Sequence, residues 1–235
     1  MRKLLGAVTA AAFLTCAAGD ADAAVIVLDF EGVGDQVAVN NFYNGGTDGA
    51  GNSGTNYGVV FSSTSLGLRD SDAGGTGNFA NEPSPSTVLF FQSGGEATLN
   101  FAAGFDLGFS FFYASSNETG GLINVYEGLN GTGNLLASLA LPINGGGCSG
   151  DPNGVPYCNW TNIGVAFSGI ARSVDFGGTA NQIAFDNITL GSVTAGSGGN
   201  AVPEPGTWAM MLVGFGGIGF TLRRRRAHGS LLHTA

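Results

Sequence analysis

The sequence contains few residues whose type and spacing could support catalysis. Both histidines, His228 and His233, follow a run of arginines near the C-terminus, and neither Gly-x-Ser-x-Gly nor His-Glu-x-x-His occurs. Serine, cysteine and zinc hydrolases each need a histidine or one of these motifs, so they are excluded for the rest of the chain. An acid/base glycan hydrolase needs only two carboxylates. That interpretation stays open, although spacing singles out no pair of acids.

Two cysteines are placed to form a disulfide bond. Cys148 and Cys158 flank the turn-rich residues 149–154, and no histidine is nearby to complete a metal site. A redox pair normally has Cys-x-x-Cys spacing, which is absent here. In an oxidising compartment an isolated pair of this kind forms a structural bridge. We therefore predict a Cys148–Cys158 disulfide.

The N-terminus carries the first of two export signals. Arg2 and Lys3 precede an apolar run to Ala18, and Ala21-Asp22-Ala23 is a small-x-small cleavage pattern. This order is typical of a secretory signal peptide over residues 1–23, removed before Ala24. The secretion translocon and signal peptidase are therefore predicted partners.

The C-terminus carries the second signal, in which a helix breaker, an apolar run and a basic block follow one another. After the Pro203-Glu204-Pro205 tripeptide, fifteen uncharged residues from Trp208 to Leu222 directly precede the arginines. A helix of that length covers about 22 Å, which is short of the roughly 30 Å hydrocarbon core of a bilayer. The arginines predict that the N-terminal side faces outward and that residues 227–235 form a cytoplasmic tail.

The order of residues in this tail closely resembles the PEP-CTERM sorting signal of Gram-negative bacteria, in its PEPxxWA variant. The resemblance covers residues 203–226. The sorting-signal residues are Pro203, Glu204, Pro205, Trp208, Arg223, Arg224, Arg225 and Arg226. It implies that an exosortase-type membrane protease recognises the tripeptide, removes the hydrophobic tail and releases or re-anchors the protein at the cell surface.

Residues 24–190 are the predicted exported domain. Of the 17 acidic residues in the chain, all except Asp20, Asp22 and Glu204 lie here, which leaves 14 against two basic residues, Arg69 and Arg172, and a net charge of −12. Phosphate binding needs clustered cations, so nucleic acid is excluded as a partner. Residues 191–202 are small and polar, and they are predicted to form a flexible Gly/Ser-rich linker.

Glycine clusters and short apolar runs alternate along this domain, a pattern typical of many strands joined by turns. Strands are predicted at residues 25–30, 37–42, 59–63, 87–92, 97–101, 105–113, 122–127, 135–141, 160–167, 173–176 and 182–190. Period-two alternation places Phe105, Leu107, Phe109, Phe111 and Tyr113 on one face. Because no helical stripe is present, we predict an all-β fold, an antiparallel β-sandwich of jelly-roll type.

Two connections are also predicted. Asn130-Gly131-Thr132-Gly133 is a hairpin connection, since Asn and Gly tolerate positive φ. Residues 40–58 are rich in Asn, Gly, Ser and Thr around a few aromatic residues. They form either one or two ordered surface loops or a mobile excursion.

The order Leu28-Asp29-Phe30-Glu31, then Tyr57 to Phe61, then Phe185 to Leu190 resembles jelly-roll exported domains that carry this sorting signal. It is less specifically similar to galactose-binding-like and carbohydrate-binding modules. That resemblance implies a calcium ion tying the first strand to the last, with Asp29, Glu31 and Asp186 as ligands; the alternative is that these are exposed strand-end acids. It also implies that sugars could stack on exposed aromatic rings; the alternative is that these rings are packed in the core. The candidates are Tyr43, Tyr57, Tyr157 and Trp160.

These observations predict a non-catalytic exported protein of the cell surface or extracellular biofilm matrix, sorted and processed through its C-terminal signal. The second interpretation is a carbohydrate-binding module for exopolysaccharide, supported by calcium. The third is the glycan hydrolase. The predicted location is the envelope, the surface or the medium, after transient anchoring in the inner membrane through the C-terminal helix.

Overall fold

The computed structural model describes residues 25–93, 97–116, 121–148, 156–177 and 182–197. These ranges contain eleven β-strands and no helix. The strands are β1 (Ile26–Leu28), β2 (Val59–Phe61), β3 (Ser65–Arg69), β4 (Thr87–Phe91), β5 (Thr98–Phe105), β6 (Gly108–Ser115), β7 (Gly121–Tyr126), β8 (Leu135–Leu141), β9 (Thr161–Ala166), β10 (Ala171–Asp175) and β11 (Ile183–Leu190). No helix in the described ranges has the length and apolar character that a membrane span needs.

The strands form two antiparallel sheets. Sheet I has the order β3-β4-β11-β6-β9, and β1 pairs with the last residues of β11, with Leu28 opposite Ile188. Sheet II has the order β2-β5-β10-β7-β8. Alternate residues of both sheets bury their side chains in a shared core, as period-two strands require. The predicted all-β antiparallel sandwich is confirmed, and its jelly-roll type stays a prediction.

The core is unusually rich in phenylalanine. Phe91, Phe111 and Phe185 of sheet I are all completely buried, and Phe176, which follows β10, packs against Phe91 and Phe185 with ring centroids 5.3 and 5.2 Å apart. Edge-to-face and tilted pairs of this kind are favourable beyond the area they bury. The aromatic cluster thus joins the two sheets near the middle of the sandwich.

One predicted strand is absent, and one observed strand was not predicted. Residues 37–42 form turns rather than a strand, with only an isolated bridge between Ala38 and Leu66 and a positive φ of 47° at Asn40. Strand β3 was missed because Ser, Gly and Arg interrupt its short sequence. Its glycine, Gly67, is required by close packing, since a Cβ there would lie 2.5 Å from Cγ1 of Val33.

The predicted face from Phe105 to Tyr113 is also partly wrong. Strand β5 ends at Phe105 and β6 begins at Gly108, so Leu107 lies in the turn between them. Leu107 has a φ of 66° and is 54% exposed, whereas the four aromatic residues of the pattern are buried. The alternation continued through a tight hairpin turn and concealed it.

The loop at residues 40–58 is ordered around the buried Asp48. Its carboxylate accepts hydrogen bonds of 2.8 Å from the backbone N–H groups of Gly34, Ala50 and Asn52, and one of 2.9 Å from the Asn52 amide. Burial raises the pKa of Asp48, but these hydrogen bonds outweigh burial and hold it below its usual value. Of the two alternatives, the ordered surface loop is therefore the one observed.

The first residues of the predicted linker pack on sheet I. The hydroxyl of Ser110 donates to the Ser192 carbonyl, and the backbone N–H of Gly191 donates to the Gly108 carbonyl. Ala195 is buried. The predicted signal peptide, residues 198–202 of the predicted linker, the predicted C-terminal hydrophobic helix and the predicted cytoplasmic tail lie outside the described ranges.

Candidate functional site

The three predicted calcium ligands meet at one end of the sandwich. Asp29 and Glu31 follow β1, and Asp186 lies in β11 next to a register shift. Asp186 and Glu31 contact residues 83–86, which we call the Pro-Ser segment, through their carboxylates. Asp29 reaches the segment only through its backbone carbonyl oxygen, because its carboxylate accepts hydrogen bonds from the Glu31 N–H and the Tyr43 hydroxyl.

Asp186 is buried, and both of its carboxyl oxygens are hydrogen-bonded. Its Oδ2 accepts from the Ser84 N–H at 2.7 Å, and its Oδ1 lies 2.7 Å from the Ser84 hydroxyl and 2.6 Å from the Asn187 N–H. The Ser84 hydroxyl also lies 3.0 Å from the Asp29 carbonyl oxygen. Burial raises the pKa of Asp186 to about 7, against the opposing effect of these hydrogen bonds.

Glu31 holds the other end of the Pro-Ser segment. Its Oε1 accepts from the N–H groups of Ser86 and Thr87 at 2.9 and 2.8 Å, and its Oε2 accepts from the Ser86 hydroxyl at 3.0 Å. Phe30, between the two acids, is buried with a φ of 60°, a rare conformation for an aromatic residue. This backbone turn lets Phe30 enter the core while Glu31 reaches the segment.

The acids therefore act as a clamp for backbone and hydroxyl donors. No group of three or more His, Cys, Asp or Glu side chains in the described ranges is arranged to hold a metal ion. A cation would need the oxygens of Asp186 and Glu31 that already accept N–H and O–H bonds. Calcium binding by Asp29, Glu31 and Asp186 stays a prediction.

The four aromatic stacking candidates are mostly packed. Tyr43 is buried, with its hydroxyl accepting from the Phe30 N–H at 2.7 Å, and burial raises its pKa well above the usual value. Tyr57 is 36% exposed but stacks on Tyr43 at 6.1 Å. Tyr157 and Trp160 pack against Phe79 in a small cluster on the outside of sheet I.

The predicted disulfide between Cys148 and Cys158 is present, with a Cα–Cα distance of 5.6 Å. Cys158 is buried, and it follows Tyr157, whose carbonyl accepts from the Ala80 N–H at 3.0 Å. The bridge therefore ties the segment after β8 to the segment before β9, whose Tyr157 and Trp160 pack in the small cluster on sheet I. Its surroundings are those of a structural link.

An open groove of about 710 Å³ lies on the outer face of sheet II. Pockets of this size accommodate small organic ligands. The lining residues are mostly polar: Val60, Phe61, Ser62, Thr98, Asn100, Asn130, Gly131, Asp175 and Gly177. Their contribution was missed from the sequence, because they belong to four separated parts of the chain.

One wall of the groove is the β7–β8 loop, the predicted hairpin connection, which is confirmed. Asn130 and Gly131 have positive φ values of 55° and 67°. The loop folds back over the sheet, where the Asn130 N–H donates to Asn100 Oδ1 at 2.7 Å and the Gly131 N–H donates to Ser173 Oγ at 2.9 Å. The wall is thus fixed to two strands of the floor, β5 and β10.

Comparison with known proteins gives a distant structural likeness and one specific sequence motif. The K2 cleaved adhesin domain of Lys-gingipain is similar in structure over 76% of this chain and 94% of that domain, at 12% identity and a TM-score of 0.36, a likeness too distant to assign function. No curated protein matches the sequence. The PEP-CTERM protein-sorting motif matches residues 201–226, which include every predicted sorting-signal residue from Pro203 to Arg226. The chain therefore carries a PEP-CTERM protein-sorting motif, which supports export and sorting through a C-terminal signal and implies processing by an exosortase-type membrane enzyme.

Proposed function

We propose that the protein is a non-catalytic component of the cell surface or extracellular matrix, whose β-sandwich is delivered there by its sorting motif. The motif at residues 201–226 is the observation that carries the proposal. The engagement of Asp186 and Glu31 in hydrogen bonds with the Pro-Ser segment supports a structural rather than a catalytic use of these acids.

Carbohydrate binding is the second candidate function, and the groove on sheet II favours it. The groove offers amide, hydroxyl and carboxylate groups from Asn100, Thr98 and Asp175 on a rigid sheet. Such groups suit a hydroxyl-rich ligand, because each sugar hydroxyl both donates and accepts hydrogen bonds. A jelly-roll type of sandwich would agree with this use.

The leading proposal is tested by intact-mass analysis of the protein recovered from the envelope and the medium of its native host. We expect a mature species that begins near Ala24, ends close to Pro205 and carries the oxidised cysteine pair. Replacing Pro203, Glu204 and Pro205 together by alanine should abolish the C-terminal cleavage. Thr207→Ala, at a variable position of the PEPxxWA pattern, is the matched control and should leave cleavage intact.

A chain that keeps its C-terminal residues through Ala235 in the unaltered protein would contradict processing. Equal cleavage of the triple-alanine variant would contradict recognition of the tripeptide. In the first case the protein would have to be reconsidered as one anchored in the cell membrane, and in the second case other residues would direct the cleavage.

A further inference from the structure

We propose that the groove on the outer face of sheet II binds a neutral, hydroxyl-rich polysaccharide that lies across the strands. This inference rests on the second proposed function, carbohydrate binding, and assigns it a site and a ligand class. The site consists of a row of polar side chains that begins in the groove and a wall formed by the β7–β8 loop.

The polar row follows from the strand register. Thr98 of β5 lies opposite Asp175 of β10, Asp175 lies opposite Asn124 of β7, and Asn124 lies opposite Ser138 of β8. Their sequence neighbours on these strands, such as Leu99, Val174 and Val125, are buried, so the four polar residues share the outer face. At about 4.8 Å per strand, the row extends about 14 Å perpendicular to the strands.

The wall next to the row is held in place before any ligand arrives. Besides the backbone bond described above, the Asn100 amide donates to Asn130 Oδ1 at 2.9 Å, so the two asparagines are joined twice. The Ser173 hydroxyl donates to the Gly128 carbonyl at 2.6 Å. A preformed wall lowers the conformational entropy that binding would otherwise lose.

The charge of the site selects a neutral ligand. Asp175 is the acidic residue of the lining, and neither of the two described arginines, Arg69 and Arg172, contributes to it. Anionic polymers need cations to pair with their carboxylates or sulfates, and the exported domain is strongly acidic. Uronate-rich and sulfated chains are therefore disfavoured, whereas a neutral glycan meets no repulsion.

The position of the groove argues against a polypeptide ligand. Its floor is formed by β2, β5 and β10. Strands β5 and β10 are paired with neighbours on both sides within sheet II, and on the outer edge of β2 the N–H groups of Val59 and Phe61 already donate to the Tyr43 and Asn40 carbonyls. An extended peptide gains affinity by adding to a free strand edge, and these strands offer none. The floor presents only side chains, which is the mode in which a flat, hydroxylated chain can bind.

The test is affinity electrophoresis of the protein purified from its native host. Native gels would contain dextran, hydroxyethylcellulose or galactomannan as neutral polymers, alginate as a polyanion, or gelatin as a polypeptide. Thr98→Val removes a hydroxyl without changing shape, and Asp175→Asn keeps the acceptor for the Gly177 N–H, which lies 2.8 Å from Asp175 Oδ1. Gln92→Ala, an exposed polar change after β4 of sheet I, is the matched control.

We expect at least one neutral polymer to retard the protein. Each groove variant should weaken that binding about three- to tenfold, as the loss of one hydrogen bond predicts, and Gln92→Ala should leave it unchanged. Retardation by none of the neutral polymers, or equal retardation of all variants, would overturn the proposal. Groove-dependent retardation by alginate or gelatin alone would overturn the ligand class. The mass test of sorting is independent of each of these outcomes.

Discussion

Asp186 shows how a buried acid can be used for structure in this domain. Its side chain is completely buried in β11, and burial raises its pKa to about 7, while an unfolded chain has an aspartate pKa near 4. When Asp186 is neutral, its hydroxyl can donate to Ser84 Oγ, and the Ser84 hydroxyl can donate to the Asp29 carbonyl at 3.0 Å. With Asp186 neutral, both Ser84 Oγ and the Asp29 carbonyl oxygen therefore accept a hydrogen bond.

A pH dependence of stability follows from the raised pKa of Asp186. The folded state keeps the proton longer than the unfolded state, so the contribution is fully present below pH 4 and is lost as the pH rises from about 4 to about 7. A shift from about 4 to about 7 corresponds to at most about 4 kcal/mol. Asp186→Asn, which imitates the neutral acid, should lack this loss when unfolding free energy is measured in urea between pH 4 and 8.

Asp175→Asn is the control for the change in net charge, since Asp175 is partly exposed on sheet II. If the stability curves of Asp186→Asn and the unaltered protein run parallel across this pH range, Asp186 is ionised throughout and the network operates with the carboxylate as acceptor.

The β5–β6 hairpin is built around an unfavourable backbone conformation at Leu107. Its φ of 66° costs a non-glycine residue about 1–2 kcal/mol, and the side chain is largely exposed, so little packing compensates. Leu107→Gly should therefore stabilise the protein by roughly 0.5–1 kcal/mol, after the entropy lost by glycine on folding is subtracted. The midpoint of urea unfolding measures this. Leu107→Ala keeps the Cβ atom and should give no gain; equal midpoints for the two variants would contradict the argument.

The same hairpin illustrates which parts of the fold the sequence could predict. The alternation of apolar and polar residues located most strands, because each sheet buries one face. It could not reveal the two-residue turn at Leu107, because the hydrophobic pattern continues through that turn. Strand β3 was missed since Gly67 is selected by contact with Val33, which a local pattern does not contain.

The candidate sites also depended on contacts that a local sequence pattern does not contain. The pairing of β1 with β11, which places Asp29 near Asp186, was implied only by the resemblance to jelly-roll domains and not by any local pattern. The groove could not be predicted, since its wall depends on contacts between Asn130 and Asn100, 30 residues apart, and between Gly131 and Ser173, 42 residues apart. The turn chemistry of Asn130-Gly131 predicts a hairpin but not the surface onto which the hairpin folds.

The export of the whole chain and the chemistry of its folded domain support each other through the disulfide. Cys148 and Cys158 are separated by 10 residues, and closing a loop of that length stabilises a protein by about 2–3 kcal/mol, mainly through the unfolded state. Such a bond forms in oxidising compartments outside the cytosol, which agrees with export through the sorting motif at residues 201–226. The double variant Cys148→Ser, Cys158→Ser should therefore lose about that amount of unfolding free energy in guanidinium titrations.

Reduction of the unaltered protein is the matching control, because it opens the same loop without changing the sequence near the small cluster of Phe79 and Trp160. Both treatments should lower the unfolding midpoint equally and leave the groove on sheet II able to bind, since its floor and wall are fixed by Asn100, Asn130 and Ser173 without the bridge. An unchanged midpoint after reduction would mean that the native packing around Cys158 alone holds this segment. A loss of binding together with stability would mean that the two sheets unfold as a single cooperative unit at the temperature of the assay.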